Sequence, residues 1–122
     1  MTRPIHVLLV ADPDDAALTL LDELRRNDYA PTWERVETSA DLRAALTRGG
    51  WDLILAEYAL KHFSAAAALA VLRDSGLDIP ILVLTDAAEP ENMRAALSLG
   101  AHDCIRLQNP ARLVPAVERE VR

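Results

Sequence analysis

The chain of 122 residues has one cysteine, one phenylalanine and aromatic residues at only 4%. A lone thiol, Cys104, makes no intramolecular disulfide, so no covalent staple is expected and a reducing compartment suits the chain. No apolar run approaches the ~20 residues that cross a bilayer. The opening "MTRPIHVLLV" enters a strand-like run with neither a signal-peptide core nor a small-residue cleavage site. The expectation is therefore a cytoplasmic protein with no membrane insertion. Lys and Arg form no cluster and the net charge is −6, which argues against direct nucleic-acid binding. Nor does a glycine-rich loop follow the first apolar run, so a nucleotide enzyme is not expected. His6, His62 and His102 are too scattered for a histidine metal site, and no Ser-His-Asp arrangement is visible. Trp33 and Trp51 read as packing residues.

What remains is a regular alternation. Half the residues are hydrophobic (51%), gathered in short runs. "IHVLLV" (5–10), "DLILA" (52–56) and "IPILVL" (79–84) are too continuously apolar for half-exposed antiparallel strands, and read as central strands of a parallel sheet. "TWERVE" (32–37) alternates, as an edge strand does, and "DCIRL" (103–107) is a fifth strand. Between them apolar residues recur at helical spacing: Leu20, Leu21 and Leu24; Leu42, Ala45 and Leu46; Ala68, Leu69 and Leu72; Met93, Ala96 and Leu97. Thr38 with Asp41 forms a capping box, while Ser64, Pro90 and Pro110 mark helix starts. Gly49, Gly76 and Gly100 stand just past helix ends. Pro115 predicts a kink or a late start in the last helix. Five βα units in a single domain, residues 1–122, account for the whole chain.

In open α/β sheets, ligands and chemistry collect at the carboxyl ends of the strands. The residues there are Asp12, with Asp14 and Asp15; Glu57; Thr85 and Asp86; and Leu107 and Gln108. Two carboxylates and a hydroxyl therefore have a common address. On their own, such residues are more often solvated loop groups and helix caps.

The segments "HVLLVADPDDAALTLLDELRR", "WDLILAEY", "ILVLTDA" and "GAHDCIRL" resemble, in order and spacing, bacterial response-regulator receiver domains of two-component signalling. The resemblance implies a flavodoxin-like α/β fold: a doubly wound five-stranded parallel sheet of order 2-1-3-4-5 with helices on both faces. It also implies a phosphorelay module that takes a phosphoryl group from a histidine kinase. Carried over position by position, the acidic pair after strand 1 reads Ala11-Asp12, so one acid is missing. The loop is also about a residue short. The phosphoacceptor position holds Glu57, the switch hydroxyl is Thr85, the switch aromatic position holds Cys104, and the lysine position holds Leu107.

Phosphoryl transfer relies on in-line placement and on neutralising charge at the equatorial oxygens. Glutamate's extra methylene displaces the attacking oxygen by roughly 1.5 Å, where about 1 Å can cost a hundredfold. Arg106, next to the missing lysine, belongs to the other face of its strand unless a bulge intervenes. The expectation is a degenerate receiver, not an enzyme, signalling mainly through protein contacts and independently of phosphorylation. No cofactor is expected; Mg at Asp12 is weak or absent. The alternatives are an active receiver phosphorylated at Glu57 or a nearby Asp with Mg, and a flavodoxin-like binder of small ligands. Partners are expected to be proteins: a histidine kinase, an output domain, or a second receiver copy in a homodimer. They would meet the face of residues 90–121, where Glu91, Arg94, Arg106, Arg112, Glu118 and Arg119 mix both signs.

Overall fold

Strands β1 (Arg3–Val10), β2 (Tyr29–Val36), β3 (Leu53–Glu57), β4 (Ile81–Thr85) and β5 (Asp103–Arg106) pair in parallel, in the order β2-β1-β3-β4-β5. The computed structural model describes residues 2–11, 16–57, 65–85, 94, 97–98, 101–106 and 109–121. Helices α1 (Ala16–Arg26), α2 (Ser39–Arg48) and α3 (Ala65–Ser75) connect the first four strands. Arg94, Leu97 and Ser98 are helical, and a 3-10 turn (Pro110–Arg112) runs into the C-terminal helix, Leu113–Glu120.

Alternation along each strand sorts the apolar runs onto two faces. Leu8, Val10, Ile54, Ala56, Ile81, Val83 and Cys104 pack with α2 and α3 through Leu42, Leu46, Ala68 and Leu72. Val7, Leu9, Leu53, Leu55, Leu82, Leu84 and Ile105 pack with α1 and the C-terminal helix through Leu20, Leu24, Leu113 and Val117. This two-sided cover is why β3 and β4 are buried at every position and why their sequences show no polar alternation. The expected sheet, with helices on both faces, is the observed one. Among the described residues no helix is long and apolar enough to cross a membrane.

Local signals place the boundaries with small differences. The Thr38 hydroxyl accepts the Asp41 N–H at 3.1 Å and starts α2. Gly49 closes that helix at φ 74°, in the left-handed region that glycine enters at low cost. Ser64, Pro90 and Gly100 lie outside the described residues. Pro115 stands in the first α turn, where N–H groups lack intrahelical partners, so the late start is the outcome and the missing donor costs little. β2 begins at Tyr29, three residues before the expected start, and tolerates Pro31 because it is an edge strand.

Trp33 corrects an expectation. It is exposed rather than packed, because β2 at the sheet edge has most of its length outside the helical cover. Trp51 does pack, against the α2–α3 core, and its indole N–H donates to the Ala45 carbonyl at 2.8 Å.

Two strand starts use the same device. Asp52, just before β3, donates its N–H to His6 O at 2.9 Å and accepts the His6 N–H on Oδ2 at 2.9 Å. His102, just before β5, donates its N–H to Ile81 O at 2.9 Å and accepts the Ile81 N–H on Nδ1 at 3.1 Å. In each case a side-chain acceptor replaces a ladder bond beyond the end of the sheet. The second employs His102 as backbone glue.

Candidate functional site

The carboxyl ends of the central strands deliver Ala11, Glu57 and Thr85 to one end of the sheet. Val10 pairs with Ala56, so Ala11 follows on β1 as Glu57 follows on β3; Glu57 itself pairs with Leu84, and Thr85 pairs with Arg106. Glu57 at 9% exposure and Thr85 at 4% are the polar side chains buried with the core among the described residues. Oε1 of Glu57 is shut away from solvent. Leu53 and Leu55 belong to the core beneath α1 and the C-terminal helix, and Glu57 continues their alternation. Ala11 belongs to that same core at 1% exposure. A methyl group thus occupies the position where the resemblance calls for the first acid.

Asp12, Asp14, Asp15, His62, Asp86, Glu91, Leu107 and Gln108 lie outside the described residues. The described donors do not complete a magnesium site. Mg²⁺ takes near-octahedral oxygen coordination, Ala11 offers it nothing, and Glu57 is a single carboxylate. Among the described residues no group of three His, Cys, Asp or Glu side chains is placed to hold a metal.

β5 runs without a bulge over its described length: Cys104 joins the core on one face and Ile105 the core on the other. Arg106, half-buried, therefore follows the alternation onto the face of Cys104. The Cys104 thiol is fully buried, and its pKa is pushed up, first by burial and then by the neighbouring Asp103 charge, against the opposing pull of Arg112 and Arg106. A thiol held protonated in this way is a weak nucleophile. It fills space between β5 and the α2–α3 layer.

Asp103 was not singled out by sequence. Its Oδ2 accepts from Arg119 Nη2 at 2.6 Å, Arg112 approaches Oδ1 at 4.0 Å, and its Oδ1 also accepts the Cys104 N–H at 2.7 Å. One carboxylate thereby ties β5 to the turn and helix that follow it. A second tie is made by the residue just before Arg119, where Arg3 on β1 donates to both carboxylate oxygens of Glu118 and stacks 4.2 Å from the centre of the Tyr29 ring. Hydrogen bonds from Arg3, then Tyr29, hold the Glu118 carboxyl below its ordinary value. Both ties join residues too far apart in the chain for any spacing rule to pair them. On the mixed-charge face, Arg112, Glu118 and Arg119 have intramolecular partners and remain about half exposed.

The profile of the response regulator receiver domain matches residues 7–118. The chain belongs to the response-regulator receiver family. It is 30% identical over 99 residues to the swarming motility regulation protein RssB of Serratia marcescens, covering 81% of this chain and 44% of that protein. The receiver thus spans less than half the length of that relative. Its fold is shared with the receiver domain of a sensor histidine kinase from Pseudomonas aeruginosa PAO1, at a TM-score of 0.77 and 23% identity, covering 96% of this chain and 97% of the other. It is shared too with a Francisella response regulator receiver domain, at a TM-score of 0.72 and 17% identity, covering 94% and 98%. Receiver domains are signal relays rather than enzymes in the usual sense, and as a family they pair with histidine kinases and output domains.

Proposed function

We propose that this receiver is a single signalling domain that has kept the fold and lost most of the phosphorylation chemistry, acting in the cytoplasm through protein contacts. The observation that carries the reading is the pair Ala11 and Glu57: a buried methyl beside a buried, over-long carboxylate, where the family has an acid and its phosphoacceptor aspartate. Cys104 at the aromatic position and Leu107 at the lysine position remove the readout and the fixed cation. The solved Pseudomonas receiver carries magnesium in its active-site cleft; here Asp12 and Glu57 hold the ion weakly or not at all. Intact-mass measurement after incubation with acetyl phosphate and Mg²⁺ tests this. No phosphorylated species accumulates on the wild-type chain, and an added phosphoryl group mapping to Glu57 or an aspartate of the 12–15 loop establishes the active receiver instead.

The partner, a histidine kinase, an output domain or a second receiver copy, is assigned to the face of residues 90–121. Arg94 is exposed and Arg106 half-buried, and neither forms an ion pair among the described residues. Reversing both to Glu reduces partner capture; exposed Arg94 is an isolated surface charge, so its reversal alone does so at nearly constant thermal stability, such charges contributing within about 0.5 kcal/mol. Arg119→Glu lowers stability as well, because it sets a second carboxylate against Asp103. Capture that survives the double reversal removes this face from the reading.

A further inference from the structure

An open groove of about 450 Å³ lies between the C-terminal halves of α2 and α3. Helices run antiparallel to the strands in βα units, so this groove sits at the amino ends of the strands, across the domain from Glu57. Its floor is apolar, made by Leu46 and Val71, both buried against the core. Leu77 on its rim is 42% exposed, one of the few large apolar side chains left in solvent among the described residues.

The polar groups around it divide into spent and unspent. The Thr47 hydroxyl donates to Arg43 O at 2.8 Å, and the Ser75 hydroxyl donates to Leu72 O at 2.6 Å while accepting the Leu77 N–H at 3.2 Å. Arg43 on the α2 wall and Asp74 on the α3 wall are exposed, and neither forms an ion pair among the described residues. The contrast with the C-terminal helix is direct: there Arg112 and Arg119 close on Asp103, and Glu118 closes on Arg3.

The geometry points to a second copy of this chain as the occupant of the groove, docked about a two-fold axis. A surface with a positive wall, a negative wall and an apolar strip between them is complementary to itself under two-fold rotation about an axis along the strip. The rotation sets Arg43 of each copy opposite Asp74 of the other, and brings the two Leu77 side chains together over the apolar floor. Specificity comes from the two charge pairs, and the driving force from removing Leu77 from water. A single groove-filling helix of another protein has no comparable reason to match both walls. This interface leaves the strand-end site and the face of residues 90–121 uncovered, and it holds whether or not Glu57 accepts a phosphoryl group.

Sedimentation velocity on the whole chain, from about 10 μM to about 1 mM, covers the range of a weak transient dimer. Wild type associates. Arg43→Asp sets Asp against Asp74 at both symmetric contacts, and Asp74→Arg sets Arg against Arg43. Each weakens association by about tenfold or more, since the symmetry counts every reversal twice. Mixing the two variants restores attraction at both contacts and returns association to near the wild-type level. Thermal midpoints close to wild type establish that both variants remain folded. A chain monomeric throughout the range, association indifferent to both reversals, or a mixture no stronger than either variant alone overturns the proposal.

Discussion

The triple replacement Ala11→Asp, Glu57→Asp and Leu107→Lys is expected to turn a chain that does not label with acetyl phosphate into one that does, by a factor of at least about 10³. Each change restores one physical requirement. Shortening residue 57 withdraws the attacking oxygen by roughly one bond, 1.5 Å, where misplacement on the order of 1 Å costs about a hundredfold. The lysine returns a preorganised cation, the kind of partner whose removal costs about 10²–10³ in rate. Residue 11 returns a metal-binding oxygen in a position now held by a methyl at 1% exposure. That last change brings a carboxylate up against another in a nearly dry site, where like charges repel and desolvation is uncompensated. The variant should therefore be less stable than wild type without Mg²⁺ and regain stability as Mg²⁺ is added, by the linkage that any native-state ligand imposes. Glu57→Asp alone should label poorly. Intact mass with and without Mg²⁺, beside a thermal melt under both conditions, reads all of this. A triple variant that folds, gains stability with Mg²⁺ and still fails to label would mean that the defect lies elsewhere, in the shortened 12–15 loop.

The second large effect is on the scaffold under the site. Leu55 is fully buried on β3, two residues before Glu57, in the core shared with α1 and the C-terminal helix. Leu55→Ala removes three heavy atoms from a strand flanked by β1 and β4, where neighbours cannot collapse without moving the sheet. The expected loss is about 2–5 kcal/mol, a large part of the ~5–15 kcal/mol that holds a domain of this size. The midpoint of thermal unfolding should fall by on the order of 10 °C or more. A substitution at exposed Leu77 should cost far less, since its side chain is not packed in either core cluster. A melt of Leu55→Ala within a degree or two of wild type would show that the strand is not the rigid support proposed for Glu57.

How much of this was readable before the fold can be judged from individual residues. The runs at 5–10, 52–56 and 79–84 announced central parallel strands because a strand covered on both faces has no room for polar alternation. Thr38 and Asp41 announced the start of α2 because the capping bond spans three residues. The rule that ligands collect at strand carboxyl ends pointed to Glu57 and Thr85, and both are buried at that end of the sheet. Asp103 escaped notice, for an acid at a strand start looks like any solvated acid until Arg119 is folded onto it.

Trp33 marks the opposite error. Aromatics usually pack, and only the strand order shows that β2 is an edge left largely uncovered. His102 looked isolated because its partner is a backbone N–H on another strand.

The sequence by itself determined the βα alternation, the two-faced cores and the chemical identity of the strand-end residues. Periodicity, capping and side-chain type are local properties that the chain carries into any fold. Tertiary structure alone decided which charges pair within the domain. Arg119 and Glu118 are engaged through Asp103 and Arg3, whereas Arg43 and Asp74 line an open groove and form no ion pair among the described residues. Charge pairing depends on distance in space, and a list of residues holds no information on which helices the sheet brings side by side.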